Sequence, residues 1–330
     1  MTLAELGWNA FFADAFEPHR EQNLRPARVA VQHRGAYVLF TEEGELRVAA
    51  ARSGAAVGDW VATDGESVRA VLPRRSAFRR HAAGAETEEQ VVAANVDTVF
   101  LVSALGDDLN ARRVERYLTM AWESGAAPAV VLTKTDTGGD VPGALAEVES
   151  VAFGVPVHAV SSVTGEGLEA LGAYLKTGRT VALLGSSGVG KSTLLNRLVG
   201  YEALATQELR RDGKGRHTTT HRELVLVPGG GLVLDTPGMR ELQLWEAGEG
   251  LERTFEDILA LAANCRFSDC AHEAEPGCAV RDVVDPARLE SYRKLERELH
   301  FLGIKHDQRL RSEERKRWKA VHKILRTTKY

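Results

Sequence analysis

The sequence predicts a multidomain α/β protein with a small N-terminal β-barrel, a central domain on a mostly parallel sheet, and a helical C-terminal domain. Three observations predict it: five short β-rich runs between residues 27 and 72, alternating strand and helix patterns from residue 90 to about 244, and a Cys/His cluster within a helical pattern after residue 251. A chain of 330 residues that is 44% hydrophobic can bury two or three cores. We expect an extension at 1–24, the barrel at 25–82, the central domain at 83–245 and the C-terminal domain at 246–330.

The barrel prediction comes from β-rich runs at regular spacing, each ended by a turn signal such as Arg34-Gly35 or Asp64-Gly65. The runs are residues 28–33, 37–41, 45–49, 59–63 and 68–72. Five short strands fit a small antiparallel barrel, and the oligonucleotide-binding (OB) barrel is a common module of this kind. A basic connector with Arg74, Arg75, Arg79 and Arg80 favours RNA as a ligand, although a barrel without a nucleic-acid role stays open. The preceding residues, 1–24, form a short apolar helix-like stretch with no readable role.

The central domain is predicted from apolar runs that alternate with helical patterns. The strands are expected at 98–104, 129–132, 155–160, 180–184, 224–227 and 232–234, and the helices at 111–124, 144–153, 167–176 and 191–199. Such alternation is typical of a mostly parallel sheet that is covered by helices on both faces.

A phosphate-binding loop joins the fourth of these strands to the helix at residue 191. The pattern Gly-x4-Gly-Lys-Ser lets backbone N–H groups surround phosphates at a helix N-terminus, where the helix dipole favours negative charge. We expect Lys191 to reach the β- and γ-phosphates and the Ser192 hydroxyl to ligate Mg²⁺. The predicted phosphate ligands are Gly185, Ser186, Ser187, Gly188, Val189, Gly190, Lys191, Ser192 and Thr193.

A base-reading motif follows the strand at 129–132. In Thr133-Lys134-Thr135-Asp136, the Asp136 carboxylate can accept from guanine N1–H and from its 2-amino group, and Lys134 can lie along the base. Ser161, Ser162 and Val163 follow another strand and can offer a backbone N–H to guanine O6. The motif alone could be a surface loop, but together with the phosphate loop it predicts a guanine nucleotide, GTP or GDP.

The order of these motifs is unusual for a GTPase. The base-reading motif precedes the phosphate loop, and the switch Asp235-Thr236-Pro237-Gly238 follows both. Compact domains tolerate such a cut because their termini lie close together at the surface. The central domain is therefore predicted to be a circularly permuted P-loop GTPase domain. We expect Asp235 to hold Mg²⁺ through water and the Gly238 N–H to bind the γ-phosphate.

The attacking water needs a partner other than the usual glutamine. Met239 occupies the position where Ras-like enzymes place a water-orienting Gln, and a thioether cannot polarise water. His217, which precedes a run of three threonines, is the candidate catalytic residue, with an ordinary loop histidine as the alternative. Among the threonines we choose Thr219 to close over Mg²⁺ and the γ-phosphate.

The C-terminal domain carries a predicted metal site. Cys265, Cys270, His272 and Cys278 supply three thiolates and one imidazole, a closed tetrahedral set for one structural Zn²⁺. Every cysteine of the chain belongs to this set. The alternative is three buried thiols beside a surface histidine.

Charge is distributed unevenly along the chain. Residues 293–330 carry 13 Lys and Arg against 5 Asp and Glu, a charge of +8, so residues 1–292 carry −12 of the total −4. A basic tail on an acidic body is typical of a protein that binds a polyanion, although a solvated charged helix is the alternative. The chain has no apolar run near the ~20 residues that span a bilayer and no basic leader, so we expect a cytoplasmic protein without a membrane partner.

These motifs together resemble the ribosome small subunit-dependent GTPase A (RsgA) family over residues 25–330. The resemblance implies a monomeric, late-acting assembly factor that binds the small (30S) ribosomal subunit and its 16S rRNA near the decoding region, and that hydrolyses GTP faster when bound there. It also implies that the family's catalytic histidine corresponds to His217 and that its zinc ligands correspond to Cys265, Cys270, His272 and Cys278.

Two departures from the family pattern affect the base site. Thr133 stands where many members have Asn, which replaces an amide by a hydroxyl, and Ser162-Val163 replaces the more usual Ala-Lys. Two other functions stay open at this point: a GTP-gated rRNA-binding scaffold with negligible turnover, and a P-loop kinase or ATPase acting on a small metabolite.

Overall fold

The computed structural model describes residues 1–50, 53–81, 89–106, 108–200, 223–235 and 248–306. Within these ranges the fold class predicted from the sequence is confirmed. The domain boundaries at 24, 82 and 245 stay predictions.

The N-terminal residues pack against the barrel. Helix α1 (Ala10–Arg20) begins at Asn9, whose side chain accepts the Phe11 N–H, and it buries Phe12 and Phe16. Before it, the Trp8 ring meets the Trp60 ring of the barrel edge-on, with 4.6 Å between centroids. The stretch whose role could not be read thus packs on the outside of the barrel, in the hydrophobic cluster that continues into the central sheet.

The barrel consists of the five predicted strands, β1 (Arg25–His33), β2 (Ala36–Thr41), β3 (Gly44–Ala49), β4 (Trp60–Thr63) and β5 (Val68–Val71). Strand β1 pairs antiparallel with both β2 and β4, and β4 pairs with β5. An isolated parallel bridge between Ala49 and Ser67 brings the end of β3 to the start of β5, which leaves the ring partly open. Inward-facing apolar side chains such as Val29, Leu39 and Val61 fill it. The arrangement is that of a small, partly open OB-type barrel.

A two-stranded hairpin, β6 (Ala77–His81) and β7 (Glu89–Ala94), leads from the barrel to the central domain. Its register shifts between Phe78 and Arg79, which marks a β-bulge. The sequence patterns did not predict this hairpin.

The central sheet contains β8 (Thr98–Ala104), β9 (Ala127–Thr133), β10 (Val157–Ala159), β11 (Thr180–Leu184), β12 (Glu223–Leu226) and β13 (Leu232–Asp235). Their spatial order is β10-β9-β8-β11-β13-β12, parallel except for β12. The helices are α2 (Ala111–Ser124), α3 (Val141–Glu149), α4 (Leu168–Gly172) and α5 (Lys191–Val199). Apolar clusters lie on both faces of the sheet, as the alternation predicted.

The C-terminal helices pack on α2. They are α6 (Glu249–Thr254), α7 (Glu256–Ala262) and α8 (Pro286–His306). The Arg288 guanidinium of α8 donates to Glu115 of α2 at 2.8 Å, and Arg116 makes a two-bonded pair with Glu298 at 2.6 and 2.7 Å. Helix α2 therefore joins the central and C-terminal domains.

A buried arginine, Arg28, contacts the N-terminal segment, the barrel and the central domain. Arg28 of β1 is 1% exposed and donates to the Leu6 carbonyl, to the Gly58 carbonyl at 3.3 Å and to the Thr180 hydroxyl at 2.8 Å. Burial lowers the pKa of Arg28 to about 10, so the guanidinium is still charged at neutral pH. It links the N-terminal segment, the barrel and the central domain.

A cavity of about 500 Å³ lies beside Arg28, at the amino ends of the parallel strands. Most of the hydrogen bonds that its polar groups make run between the domains, although the Trp60 indole N–H has no partner among the described residues. Asp97 accepts from Arg179 at 3.0 Å and from the Thr180 N–H at 2.9 Å. We therefore assign this cavity to the seam between domains and place no chemistry there.

Candidate functional site

The predicted nucleotide segments meet at the carboxyl edge of the central sheet. The base-reading motif follows β9, Ser161–Val163 follow β10, the phosphate loop follows β11, and β13 ends at Asp235. Strand β11 lies between β8 and β13, so segments that are shuffled in sequence become neighbours in space. In open α/β sheets, ligands bind outside the carboxyl ends of the strands.

The phosphate loop has the backbone geometry that its glycines predict. A side chain at Gly185 would meet the Val102 carbonyl oxygen at 2.2 Å, so only glycine fits there. Gly190 has φ +94°, in the left-handed region, and caps α5 without any side-chain hydrogen bond to the helix. The first N–H groups of α5 therefore stay available to a ligand, and a phosphate group is the kind of ligand that such N–H donors bind. Lys191 bends over the loop and donates to the Gly185 carbonyl at 2.8 Å.

Thr133 ties the base-reading motif to the phosphate loop. Its hydroxyl is 1% exposed and donates to the Val189 carbonyl at 2.5 Å, with the Ser103 carbonyl at 3.3 Å. A hydroxyl has a single proton to donate. The Thr133 side chain therefore holds the loop in place and has no donor left for a base.

Asp108 is a further contact of the phosphate loop that the sequence did not indicate. Its Oδ1 accepts from the Ser186 hydroxyl at 2.9 Å, and its Oδ2 accepts from the Ala104 N–H at 3.2 Å. Arg113 of α2 forms an ion pair with the same carboxylate at 2.9 Å. The only signal in sequence is an acidic residue between the end of a strand and the N-cap of the next helix, Asn110.

The Asp136 carboxylate is oriented by Ser161. The Ser161 hydroxyl, which is fully buried, donates to Asp136 Oδ1 at 2.6 Å and accepts from the Val163 and Thr164 N–H groups. Asp136 itself is exposed, in a short 3-10 turn that begins after Lys134 at φ +64°. The turn places the carboxylate at the carboxyl edge of the sheet, just beyond the end of β9.

Arg197 holds the loop after β10 against the phosphate helix. From α5 its guanidinium donates to the Ser162 carbonyl at 2.7 Å and to the Val163 carbonyl at 2.6 Å. The predicted O6-binding loop and the phosphate loop are therefore fixed to one helix. Sequence analysis did not indicate this contact.

Several predicted site residues lie outside the residues that the structure describes. These are His217, Thr219 and Gly238; Asp235 is described only by its backbone at the end of β13. Ser192 and Thr193 lie on the exposed first turn of α5.

The Cys/His cluster forms one compact set of ligands. Ligand atoms of Cys265, Cys270, His272 and Cys278 all lie within 4.8 Å of one another. His272 Nδ1 lies 3.6 Å from Cys265 Sγ and 3.5 Å from Cys278 Sγ. A tetrahedral ion with metal–sulfur bonds of about 2.3 Å and metal–nitrogen bonds of about 2.0 Å separates those ligands by about 3.5 Å. The residues therefore fit a four-coordinate metal ion.

Backbone N–H groups favour the thiolate form of Cys278, whereas burial raises the pKa of Cys270 to about 11. The Ala279 N–H donates to Cys265 Sγ and the Arg281 N–H to Cys278 Sγ, both at 3.3 Å. Although burial raises the pKa of the Cys278 thiol, donation from the Arg281 and Val280 N–H groups outweighs it and brings this pKa to about 6. With all four positions taken by side chains, the set is a structural metal site.

Comparison with known proteins agrees with this geometry. A sequence profile described as RsgA GTPase matches residues 71–245. The chain is 49% identical to the small ribosomal subunit biogenesis GTPase RsgA of Opitutus terrae, over 98% of this chain and 96% of that protein. It is 47% identical to the protein of the same name in Syntrophotalea carbinolica, over 91% and 90% of the two chains.

Two solved structures share the fold. The crystal structure of YjeQ from Thermotoga maritima matches with a TM-score of 0.60 at 28% identity, over 84% of this chain and 98% of that chain. The structure of YloQ, described as a circularly permuted GTPase, matches with a TM-score of 0.58 at 22% identity, over 86% and 97% of the two chains. At that identity the second match bears on the fold alone.

Proposed function

This chain belongs to the RsgA GTPase family of GTP-hydrolysing enzymes, and on that premise we propose that it is a maturation factor of the small (30S) ribosomal subunit. It hydrolyses GTP to GDP and phosphate, and binding to the subunit stimulates the reaction. The observation that carries the proposal is the meeting of the base-reading and phosphate-binding segments at one sheet edge. The names of the relatives supply the ribosomal partner.

The proposed ligands of the nucleotide divide into two groups. The amides of residues 185–190, with Lys191, bind the phosphates because they present N–H donors and a positive charge at the start of α5. Asp136 accepts from guanine N1–H and the 2-amino group, Lys134 lies along the base, and an N–H within Ser161–Val163 donates to O6. Bonds from Ser161 and Arg197 keep these groups in place before the ligand arrives.

The reacting end of GTP involves residues outside the described ranges. We assign His217 to orient the attacking water, and the Gly238 N–H to bind the γ-phosphate. Ser192 and Thr219 hold Mg²⁺ directly, and Asp235 holds it through water. The ion supplies charge neutralisation at the phosphates.

We propose that the ion of the Cys/His site is one Zn²⁺. Its role is folding, because four protein ligands leave no open coordination position. Arg293 of α8 donates to the His272 carbonyl, so the bound ion also anchors the long C-terminal helix.

We propose that the RNA ligand is 16S rRNA and that the protein acts as a cytoplasmic monomer. The basic residues 293–330 and the OB-type barrel are the proposed RNA-binding parts, because phosphate contacts by Lys and Arg dominate nucleic-acid affinity. No helix that the structure describes has the length and apolar character needed to span a bilayer. The alternative of a scaffold with negligible turnover is not favoured, since the relatives are named GTPases.

Multiple-turnover GTP hydrolysis with and without purified 30S subunits tests the proposal. We expect 30S subunits to raise kcat by about tenfold or more, as when an external group completes a GTPase site. Purified 50S subunits and a Lys191→Ala variant serve as controls and should give no stimulated rate. Equal rates with and without 30S subunits would contradict the proposal.

A further inference from the structure

The hydroxyl groups of the base-binding loops divide into two pairs. Those of Thr133 and Ser161 are used within the protein, the first by the Val189 carbonyl and the second by Asp136. Those of Thr135 and Ser162 have no hydrogen-bond partner among the described residues, although both oxygens are buried. A buried hydroxyl without a partner destabilises the protein by roughly 1–3 kcal/mol. Such a group is retained most readily where a ligand supplies the partner.

Ser162 is the better placed of the two. It is 8% exposed, its carbonyl is held by Arg197 at 2.7 Å, and its neighbour Ser161 orients Asp136 at 2.6 Å. The Ser162 hydroxyl thus sits on a fixed backbone, one residue from the group that anchors the guanine-reading carboxylate. Thr135 is only half-buried.

The hydrogen-bonding groups of guanine leave an acceptor for a second donor in this loop. Asp136 accounts for the two donors of the base, N1–H and the 2-amino group. The opposite edge presents two acceptors, O6 and N7, and the backbone N–H of the loop accounts for one bond. An Asn in place of Thr133 would offer an amide donor, but the Thr133 hydroxyl is already committed to Val189.

We propose that the Ser162 side-chain hydroxyl donates to the O6–N7 edge of the guanine base. Ser162 thereby supplies the side-chain donor that Thr133 does not. The inference rests on the proposed function, because it needs a guanine nucleotide in this site. It assigns the base a side-chain contact in addition to the backbone contact expected from the loop.

A cycle that combines a variant with altered ligands tests the assignment. Dissociation constants are measured by calorimetry for Mg²⁺ complexes of GDP, 7-deaza-GDP, which lacks N7, and 6-thio-GDP, whose sulfur is a weak acceptor. The proteins are the unmodified chain, Ser162→Ala, Ser162→Cys and Thr135→Ala. Thr135→Ala is the matched control because it removes the other unpartnered hydroxyl. Circular dichroism verifies folding.

We expect Ser162→Ala to bind GDP about fivefold to tenfold more weakly, as for one lost hydrogen bond. For at least one of the two analogues, the loss of affinity relative to GDP should be clearly smaller in Ser162→Ala than in the unmodified chain. The affinity of Ser162→Cys for GDP should lie between those of the unmodified chain and Ser162→Ala, because a thiol is a weak donor. Thr135→Ala should lose as much affinity for each analogue, relative to GDP, as the unmodified chain does. The proposal is overturned if Ser162→Ala binds GDP normally or weakens all three ligands equally.

ADP separates failure of this inference from failure of the proposed function. If the unmodified chain binds ADP as tightly as GDP, the guanine site itself is wrong. If GDP is preferred but no coupling to Ser162 is found, only the assignment of this hydroxyl fails.

Discussion

Replacing Arg288 by methionine should loosen the C-terminal helices from the central domain. Arg288 is 4% exposed, and its guanidinium donates to Asp257 at 2.9 and 2.7 Å, to the Thr254 carbonyl at 3.0 Å and to Glu115 at 2.8 Å. Glu115 is fully buried, and of its two arginine partners it would keep Arg112, at 2.6 Å. The substitution therefore leaves a buried carboxylate short of one partner and a buried carbonyl without its donor.

Removing one partner of a buried ion pair destabilises a protein by about 3–5 kcal/mol. Because Asp257 is 30% exposed and can regain water, and because Arg112 stays with Glu115, we expect about 3 kcal/mol, the lower end of that range. Helix α8 should then exchange its amide hydrogens about 100-fold faster, since 1.36 kcal/mol is a factor of ten. Hydrogen exchange read by mass spectrometry reports this for α2 and α8 separately.

The pH dependence of this effect has a definite sign. Burial already raises the pKa of Glu115 above its ordinary value, against the opposing effect of its arginine partners. A raised pKa in the folded state penalises stability above that pKa and relieves the penalty as pH falls through it. The defect of Arg288→Met should therefore be largest at neutral pH and smaller in acid.

The control is Arg297→Met, on the same helix, because Arg297 is exposed and, among the residues that the structure describes, its side chain bonds only to the Arg293 carbonyl. We expect no measurable change there. A double variant, Glu115→Leu with Arg288→Met, should recover part of the loss because it removes the unpaired carboxylate. The reasoning is refuted if Arg288→Met speeds exchange no more than Arg297→Met does.

Three further predictions concern the metal site, the domain seam and acid stability. Cys270→Ser should lower the metal content of the purified chain, measured by atomic emission, and should destabilise the C-terminal helices while GDP binding persists. An unchanged metal content would contradict this prediction. Arg28→Met should lower the free energy of unfolding in urea by about 3 kcal/mol or more, because the buried Leu6 and Asn95 carbonyls lose this donor and the Gly58 carbonyl keeps only the Asn95 amide. A loss below about 1 kcal/mol would refute this. The hydrogen bond from Arg116 lowers the pKa of Glu298 below its ordinary value of 4.5. This half-exposed ion pair therefore stabilises the fold above pH 4.5, and the stabilisation is lost as the pH falls through the lowered pKa. Thermal melts of Arg116→Ala should accordingly show a deficit at pH 7 that shrinks in acid, and a constant deficit would contradict the assignment.

Some elements could be predicted to the residue because local signals agree with the final packing. Helix α2 begins after Asn110, whose side chain caps it, and ends at Gly125 in the left-handed conformation, so 111–124 is confirmed. Strand β11 and helix α5 are likewise confirmed at 180–184 and 191–199, because an apolar run and a glycine loop mark their ends. These are the elements that carry the phosphate loop.

The bounds of other elements depend on features that the hydrophobic periodicity of the sequence does not show. Helix α3 begins at Val141, three residues before the predicted 144, because Asp140 caps it and accepts the Gly143 N–H. Helix α4 ends at Gly172, whereas the pattern continues to 176. The β6–β7 hairpin went unpredicted because its bulge interrupts the alternation.

For the candidate site, the sequence predicts individual residues but not the hydrogen bonds that connect them. Asp136 and Lys191 follow from motif spacing. The bonds between Thr133 and Val189, Ser186 and Asp108, and Arg197 and Ser162 join residues 56, 78 and 35 positions apart. Pairings at such distances follow from the sheet order, which a single sequence does not specify.

The most direct test of the shared nucleotide site is an exchange of base preference. Xanthine carries an oxygen acceptor at C2 where guanine carries an amino donor, so Asp136→Asn places an amide donor opposite that oxygen. We expect the unmodified chain to bind Mg²⁺-GDP about tenfold or more tightly than Mg²⁺-XDP, and Asp136→Asn to reverse that order. An Asp136→Asn variant that still prefers GDP would mean that the carboxylate after β9 does not face the nucleotide held by the phosphate loop.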